Sequence, residues 1–345
     1  MQTREGRFAL RRPPPSAITG ECHPSFLEES VKTLLSTTLR LSLALGLSLA
    51  FAAPTFASDN EAKRLFSEAH KQWDGDPAKV QALLEKAVGE AESKALKLNL
   101  TLILGQFHQG KTGDFDAAIK AYQRVITGTI GDKSKNMRNF KAQALMNMGI
   151  VYYTRKHNIE EAVIKLSDSL ELSPTCNTAD NLSQLLYRLG RDTKRSEKSR
   201  GLQLEKSLKI ARIALELDKE NADKASTPAR RAKLRLQLVI VLTAMGKTAE
   251  ADAEWKAIKA TDLKNNALYQ LAILHALRGK SADEVAVPLK KSLEVRPSPV
   301  ARNQIRWFIR TEPDLNKFVN EASWKELVTD EAEPEKDDKK KRKKR

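Results

Sequence analysis

One frame of small and apolar residues returns along this chain at intervals of a few tens of residues, and that recurrence restricts the fold more than any single motif. Gly113-Asp114-Phe115-Asp116-Ala117-Ala118-Ile119, with Tyr122, Val125 and Ile126 beyond it, has the spacing of an amphipathic helix opened by a turn. The frame recurs as Asn158-Ile159-Glu160-Glu161-Ala162-Val163 with Leu166, Ser169 and Leu170, then as Gly246-Lys247-Thr248-Ala249-Glu250-Ala251 with Trp255 and Ile258. Fainter copies start at Gly75 (Val80, Leu84, Ala87), at Ser207 (Ala211, Ala214) and at Lys280 (Val285, Leu289, Ser292). Self-similarity of this kind marks a repeat architecture, in which each unit buries its apolar face against its neighbours.

Several copies follow a second helical stretch that carries a small residue inside an apolar face. Examples are Leu104-Gly105, Met148-Gly149-Ile150 with Tyr152, and Leu271-Ala272. Gly105 precedes Ala118 by 13 residues, and Gly149 precedes Ala162 by the same 13. Two helices that cross closely need Gly or Ala at the crossing and a Tyr, Leu or Trp one turn away to fill the adjoining gap. The composition suits helices: Leu, Ala, Lys and Glu dominate and aromatics make up only 6%. Asp76-Pro77 and Thr227-Pro228 each place a capping side chain before a proline at the first helical position.

These residues resemble the tetratricopeptide repeat family over roughly residues 58–328. The anchors Val80, Ala118, Ala162, Ser207, Ala251 and Val285 are spaced 38, 44, 45, 44 and 34 apart, and only the last gap has the family's period of about 34. The segment from Arg310-Thr311-Glu312-Pro313 to Trp324-Lys325-Glu326-Leu327 looks like the short cap that ends some bacterial members. The resemblance implies an all-α, right-handed solenoid of stacked antiparallel helix pairs. It assigns packing roles to Gly105, Ala118, Tyr122, Gly149, Tyr152, Ala162, Leu166, Pro174, Ala211, Ala214, Ala251, Trp255, Ala272 and Pro297. It also implies a non-enzymatic scaffold without a cofactor or small-molecule substrate, whose concave groove receives a peptide or partner domain.

A competing motif is Gly105-Gln106-Phe107-His108-Gln109-Gly110-Lys111-Thr112, which matches the G-x-x-x-x-G-K-[ST] phosphate loop. In that chemistry backbone amides cradle phosphates, the Lys corresponding to Lys111 neutralises them and the Thr112 hydroxyl meets Mg²⁺. The context disfavours it: Gly113-Asp114 interrupts the helix that should follow, and the same ending recurs at Gly246-Lys247-Thr248 and Gly279-Lys280-Ser281. His70, His108, His157 and His275 have no metal-ligand spacing, and Cys176, after Pro174 in an expected turn, has no paired thiol beyond Cys22. The many carboxylates lie beside Lys and Arg, as on solvated helix faces.

Four regions are expected: a 1–30 extension without structure, a 31–57 leader, a 58–330 helical repeat domain and a 331–345 charged tail. Leu41 to Ala53 is a short apolar run preceded by Lys32 and Arg40 and followed by Pro54-Thr55-Phe56-Ala57. That layout predicts a secretory signal cut after Ala57, with export to the periplasm or beyond. Translation is expected to begin at Val31. The formal charge is +16, of which residues 1–57 carry +2 and Lys339–Arg345 carry +7, leaving +7 for residues 58–338. The tail is therefore the candidate site for an anionic polymer, lipid or nucleic acid.

Overall fold

A computed structural model describes residues 57–220, 226–296 and 299–331. The leader run, the Val31 start, Cys22, Pro297 and the Lys339–Arg345 cluster lie outside the described residues. Among those described there is no strand, and fourteen α-helices follow one another. They are α1 Ala57–Lys71, α2 Pro77–Glu90, α3 Lys94–Phe107, α4 Phe115–Gly128, α5 Lys135–Thr154, α6 Ile159–Leu172 and α7 Cys176–Arg191. The chain continues through α8 Glu197–Glu220, α9 Pro228–Ala244, α10 Thr248–Lys256, α11 Leu268–Leu277, α12 Ala282–Glu294, α13 Pro299–Thr311 and α14 Lys325–Val328. No helix among the described residues is long and apolar enough to cross a membrane.

Each odd-numbered helix from α1 to α11 packs on the even-numbered helix after it. The crossings are antiparallel: Leu98 near the start of α3 lies against Gly128 at the end of α4, while Gly105 near the end of α3 lies against Tyr122. Contacts also run from α3 to α5, from α7 to α9 and from α9 to α11. Odd-numbered helices thus meet one another directly at these three places.

Local chemistry sets the ends of the helices. Asp76, Asp114, Ser134, Asn158, Thr175, Thr227 and Ser281 each accept a hydrogen bond from a first-turn amide of the helix that follows. Ser281 and Glu284 complete a reciprocal capping box. Three of the intrapair turns use a left-handed glycine: Gly113 (φ 70°), Gly246 (72°) and Gly279 (72°). At Gly246 and Gly279 the next amide reaches back five residues, Lys247 N–H to Leu242 O and Lys280 N–H to His275 O, which pays off orphaned helix-end carbonyls. The α5–α6 turn has the same bond, Lys156 N–H to Val151 O, but the left-handed residue there is His157 at φ 54°.

All six repeat anchors fall on even-numbered helices and are at most 2% exposed, from Val80 on α2 to Val285 on α12. The core is uneven along the chain. Small separate clusters serve α1 to α5, whereas one continuous cluster runs from Tyr153 to Leu327.

Candidate binding face on the odd-numbered helices

The helix crossings explain the small residues. A Cβ built on Gly105 would lie 2.6 Å from the Tyr122 ring, and one on Gly149 would lie 3.1 Å from both Ala162 O and Leu166 Cγ. Ala118, Tyr122, Ala162, Leu166, Ala211, Ala214, Ala251 and Ala272 are buried, and the Tyr122 hydroxyl donates to Gln109 Oε1 at 2.7 Å. Tyr152 is half-buried between two clusters. Trp255 is also half-buried, with the Arg278 guanidinium 5.2 Å from its ring centre. Pro174 departs from its expected packing role: it is exposed in the α6–α7 connection, where it ends a helix and fills no gap. Cys176 is not in a turn but opens α7, fully buried.

The phosphate-loop match is helical. Gly105 lies in α3, and His108–Thr112, which includes Gly110, continues it as one π-helical turn. Amides committed to helical hydrogen bonds cannot converge on a phosphate. Lys111 Nζ instead meets Asp74 Oδ1 at 2.5 Å, and the Thr112 hydroxyl donates to His108 O at 3.2 Å.

The odd-numbered helices bury a band of polar side chains. On α7 it includes Asp180, Asn181, Ser183 and Gln184; on α9, Arg230, Lys233 and Gln237; on α11, Gln270; and on α5, Asn147. Gln270 Nε2 donates to Gln237 Oε1 at 3.0 Å, so the band is linked from helix to helix. Lys233 Nζ pairs with Asp180 Oδ2 at 3.1 Å, both side chains being almost wholly buried. The expectation of solvated carboxylate faces fails here. Asp180, Asp218, Glu312 and Asp314 are all buried with cationic partners. Such pairs are maintained only where geometry and extra hydrogen bonds offset desolvation.

One narrow pocket is lined from five odd-numbered helices. Tyr153 comes from α5, Gln184, Tyr187 and Arg188 from α7, Gln237 and Ile240 from α9, and Tyr269, Gln270 and Ile273 from α11. Phe308 of α13 and Glu312 just beyond it close the far side. The Arg188 guanidinium pairs with Glu312 Oε2 at 3.2 Å, donates to Thr311 Oγ1 at 2.9 Å and lies 5.4 Å from the Tyr153 ring centre. Tyr269 donates its hydroxyl to Glu312 Oε2 at 3.1 Å. Arg191 holds Asp314 Oδ1 at 2.6 Å, and the Tyr187 hydroxyl donates to the other carboxylate oxygen of Asp314.

Burial governs the titration of this cluster. It pushes the Glu312 carboxyl up to about 7 against the pull of Arg188, with Asp314 adding to the rise. Burial likewise drives the Tyr187 and Tyr269 phenols well above their ordinary range. Gln184 Nε2, Gln270 Oε1 and Glu312 Oε1 are buried without a hydrogen-bond partner among the described residues. Leaving a buried polar atom unsatisfied costs about 1–3 kcal/mol. Chemically, the arrangement offers guanidinium, phenol and amide groups, a set suited to binding carboxylates and amides. Among the described residues, no group of three His, Cys, Asp or Glu side chains is placed to hold a metal ion.

Two features carry no signal in the repeat frame. A Cβ on Gly190 would lie 2.6 Å from Leu204 Cγ, so this glycine sets the α7–α8 crossing although its partner is 14 residues on. The α7 polar run, Asn177, Asp180, Asn181, Gln184, Arg188 and Arg191, is visible at helical spacing, but the sequence does not say which way it faces.

No family model matches the chain, and no curated protein matches it. Among solved structures, the crystal structure of BtubC (BKLC) from P. vanneervenii is similar at 15% identity, covering 67% of this chain and 90% of that one with a TM-score of 0.46.

Proposed function

We propose that the chain is a right-handed α-solenoid of the tetratricopeptide type, exported from the cytoplasm, which acts as a binding scaffold and not as a catalyst. Its partner is a peptide or a domain of another protein, received on the face lined by the odd-numbered helices. One observation carries this reading. The even-numbered helices spend their apolar anchors on packing, while α5, α7, α9 and α11 turn tyrosine, amide and guanidinium groups toward one shared pocket. Amide, phenol and guanidinium groups gathered on one side of stacked helix pairs have the chemistry of a recognition surface.

The test is purification of the tagged full chain from the envelope fraction, with two substitutions compared. Gln143 is exposed on α5, four residues before Asn147, and Ile164 is exposed on α6. A partner that is lost on Gln143→Arg and kept on Ile164→Glu supports the reading. A partner lost only on Ile164→Glu contradicts it.

A further inference from the structure

The contacts of α13 are unlike those of the other helices. A stack of helix pairs joins near neighbours in sequence, yet α13 reaches back across more than a hundred residues. Arg188 and Arg191 bond to Thr311 and Asp314, 123 residues away, and Tyr187 bonds to Asp314 at a separation of 127. Trp307 stacks on His157 with ring centres 4.1 Å apart, and Phe308 stacks on Tyr153 at 5.5 Å. His157 is the residue that holds a left-handed backbone where the equivalent turns use glycine. That conformation is uncommon for a residue with a Cβ and costs energy that the surroundings must supply.

We propose that α13, with Glu312 and Asp314, is an intramolecular occupant of the odd-helix face. It clasps the solenoid shut until a partner segment of the same chemistry, aromatic residues followed by carboxylates, takes its place. The identity of that partner chemistry rests on the scaffold reading above; the clasp itself does not. One observation shows that the occupant fits the face incompletely, and a second shows that its charges match the face. Gln184, Gln270 and Glu312, at 8%, 2% and 1% exposure, keep unpartnered polar atoms where the clasp closes. The charges are complementary, with Arg188 and Arg191 on the receiving side and Glu312 and Asp314 on the arm. The opposite flank of α13 is tied to its own end of the chain, through Arg302 and Arg306 to Glu331 and Arg310 to Asp330. Opening therefore separates α13 from α5, α7 and Tyr269 of α11 while leaving it joined to the C-terminal cap.

The experiment uses the full chain with spin labels at Arg138 on α5 and Lys325 on α14, both exposed, comparing the parent with the double variant Trp307→Leu/Asp314→Asn. The parent should give one short distance, and the variant should add a longer population while keeping its helical content. In parallel, a labelled synthetic peptide of residues 305–316 should bind the variant at least about tenfold tighter than the parent. Its binding should vanish when the peptide carries Asn in place of Asp314, the carboxylate held by Arg191 and Tyr187. Identical distance distributions in parent and variant, or equal peptide binding by both, would overturn the clasp. If the double variant fails to fold, Trp307→Leu replaces it with the same expectations. Neither measurement uses a foreign partner, so failure to find one would count against the scaffold reading alone.

Discussion

The side chains of Ser183 and Ser207 exchange hydrogen bonds with each other's backbone across the α7–α8 crossing. Ser183 Oγ donates to Ser207 O at 3.1 Å, and Ser207 Oγ donates to Ser183 O at 2.7 Å, both residues being fully buried. Small size permits the close approach, and the hydroxyl satisfies its own polarity on the opposing helix. Ser207→Ala should lower unfolding free energy by about 1 kcal/mol. Ser207→Leu should cost about 1–3 kcal/mol or more through overpacking. Urea denaturation of the two variants checks the order; equal effects would show that the crossing has room to spare.

Glycines separate by environment in the same way. A Cβ on Gly105 meets the Tyr122 ring at 2.6 Å, whereas one on Gly89 of α2 meets nothing within 4 Å. Gly105→Ala should destabilise by about 1–3 kcal/mol, and Gly89→Ala should stabilise by up to about 1 kcal/mol through helix propensity. Opposite shifts in thermal midpoint are the expected result.

Glu312 predicts a pH dependence of stability. Its carboxyl is raised from 4.5 to about 7 in the fold, chiefly by burial, so the folded state binds the proton more tightly than the unfolded chain. The contribution is fully present below pH 4.5 and is lost as pH rises through 7. Its size is on the order of a few kcal/mol. The groups facing it are Arg188, Arg191, Tyr269 and Asp314. Thermal midpoints should fall between pH 5 and pH 8 in the parent, and Glu312→Gln should flatten that slope. A parent slope unchanged by the substitution would assign it to other groups.

The phosphate-loop match predicts no nucleotide site. Titration of the purified chain with ATP and Mg²⁺ should show no saturable heat, and Lys111→Ala should behave as the parent does. Saturable binding that Lys111→Ala abolishes would require the α3 end to unwind and would overturn the helical account of Gly105–Thr112.

The all-helical class and the pairing of helices were legible because they rest on local rules. Small residues at Gly105, Ala118, Gly149 and Ala162, and caps at Asp76, Asp114 and Asn158, are read by neighbours within a few turns. What escaped the sequence depends on distant chain. The α7 run from Asn177 to Arg191 has the spacing of a solvated stripe, and only the return of α13 buries Arg188 against Glu312. Asp180 and Lys233 are 53 residues apart, and nothing in either local context marks a buried pair. Gly190 stands outside the frame because the residue 13 positions on is Gln203, not a small one. The position of Pro174 in the frame marks the end of a helix and does not reveal that the ring is exposed.

The most direct test of the scaffold account places a photo-crosslinking residue at Gln143 on α5 or at Leu202 on α8, both exposed, in the full chain in living cells. The account predicts a discrete partner adduct from position 143 and none from position 202. An adduct from position 202 alone would put recognition on the even-numbered helices and contradict it.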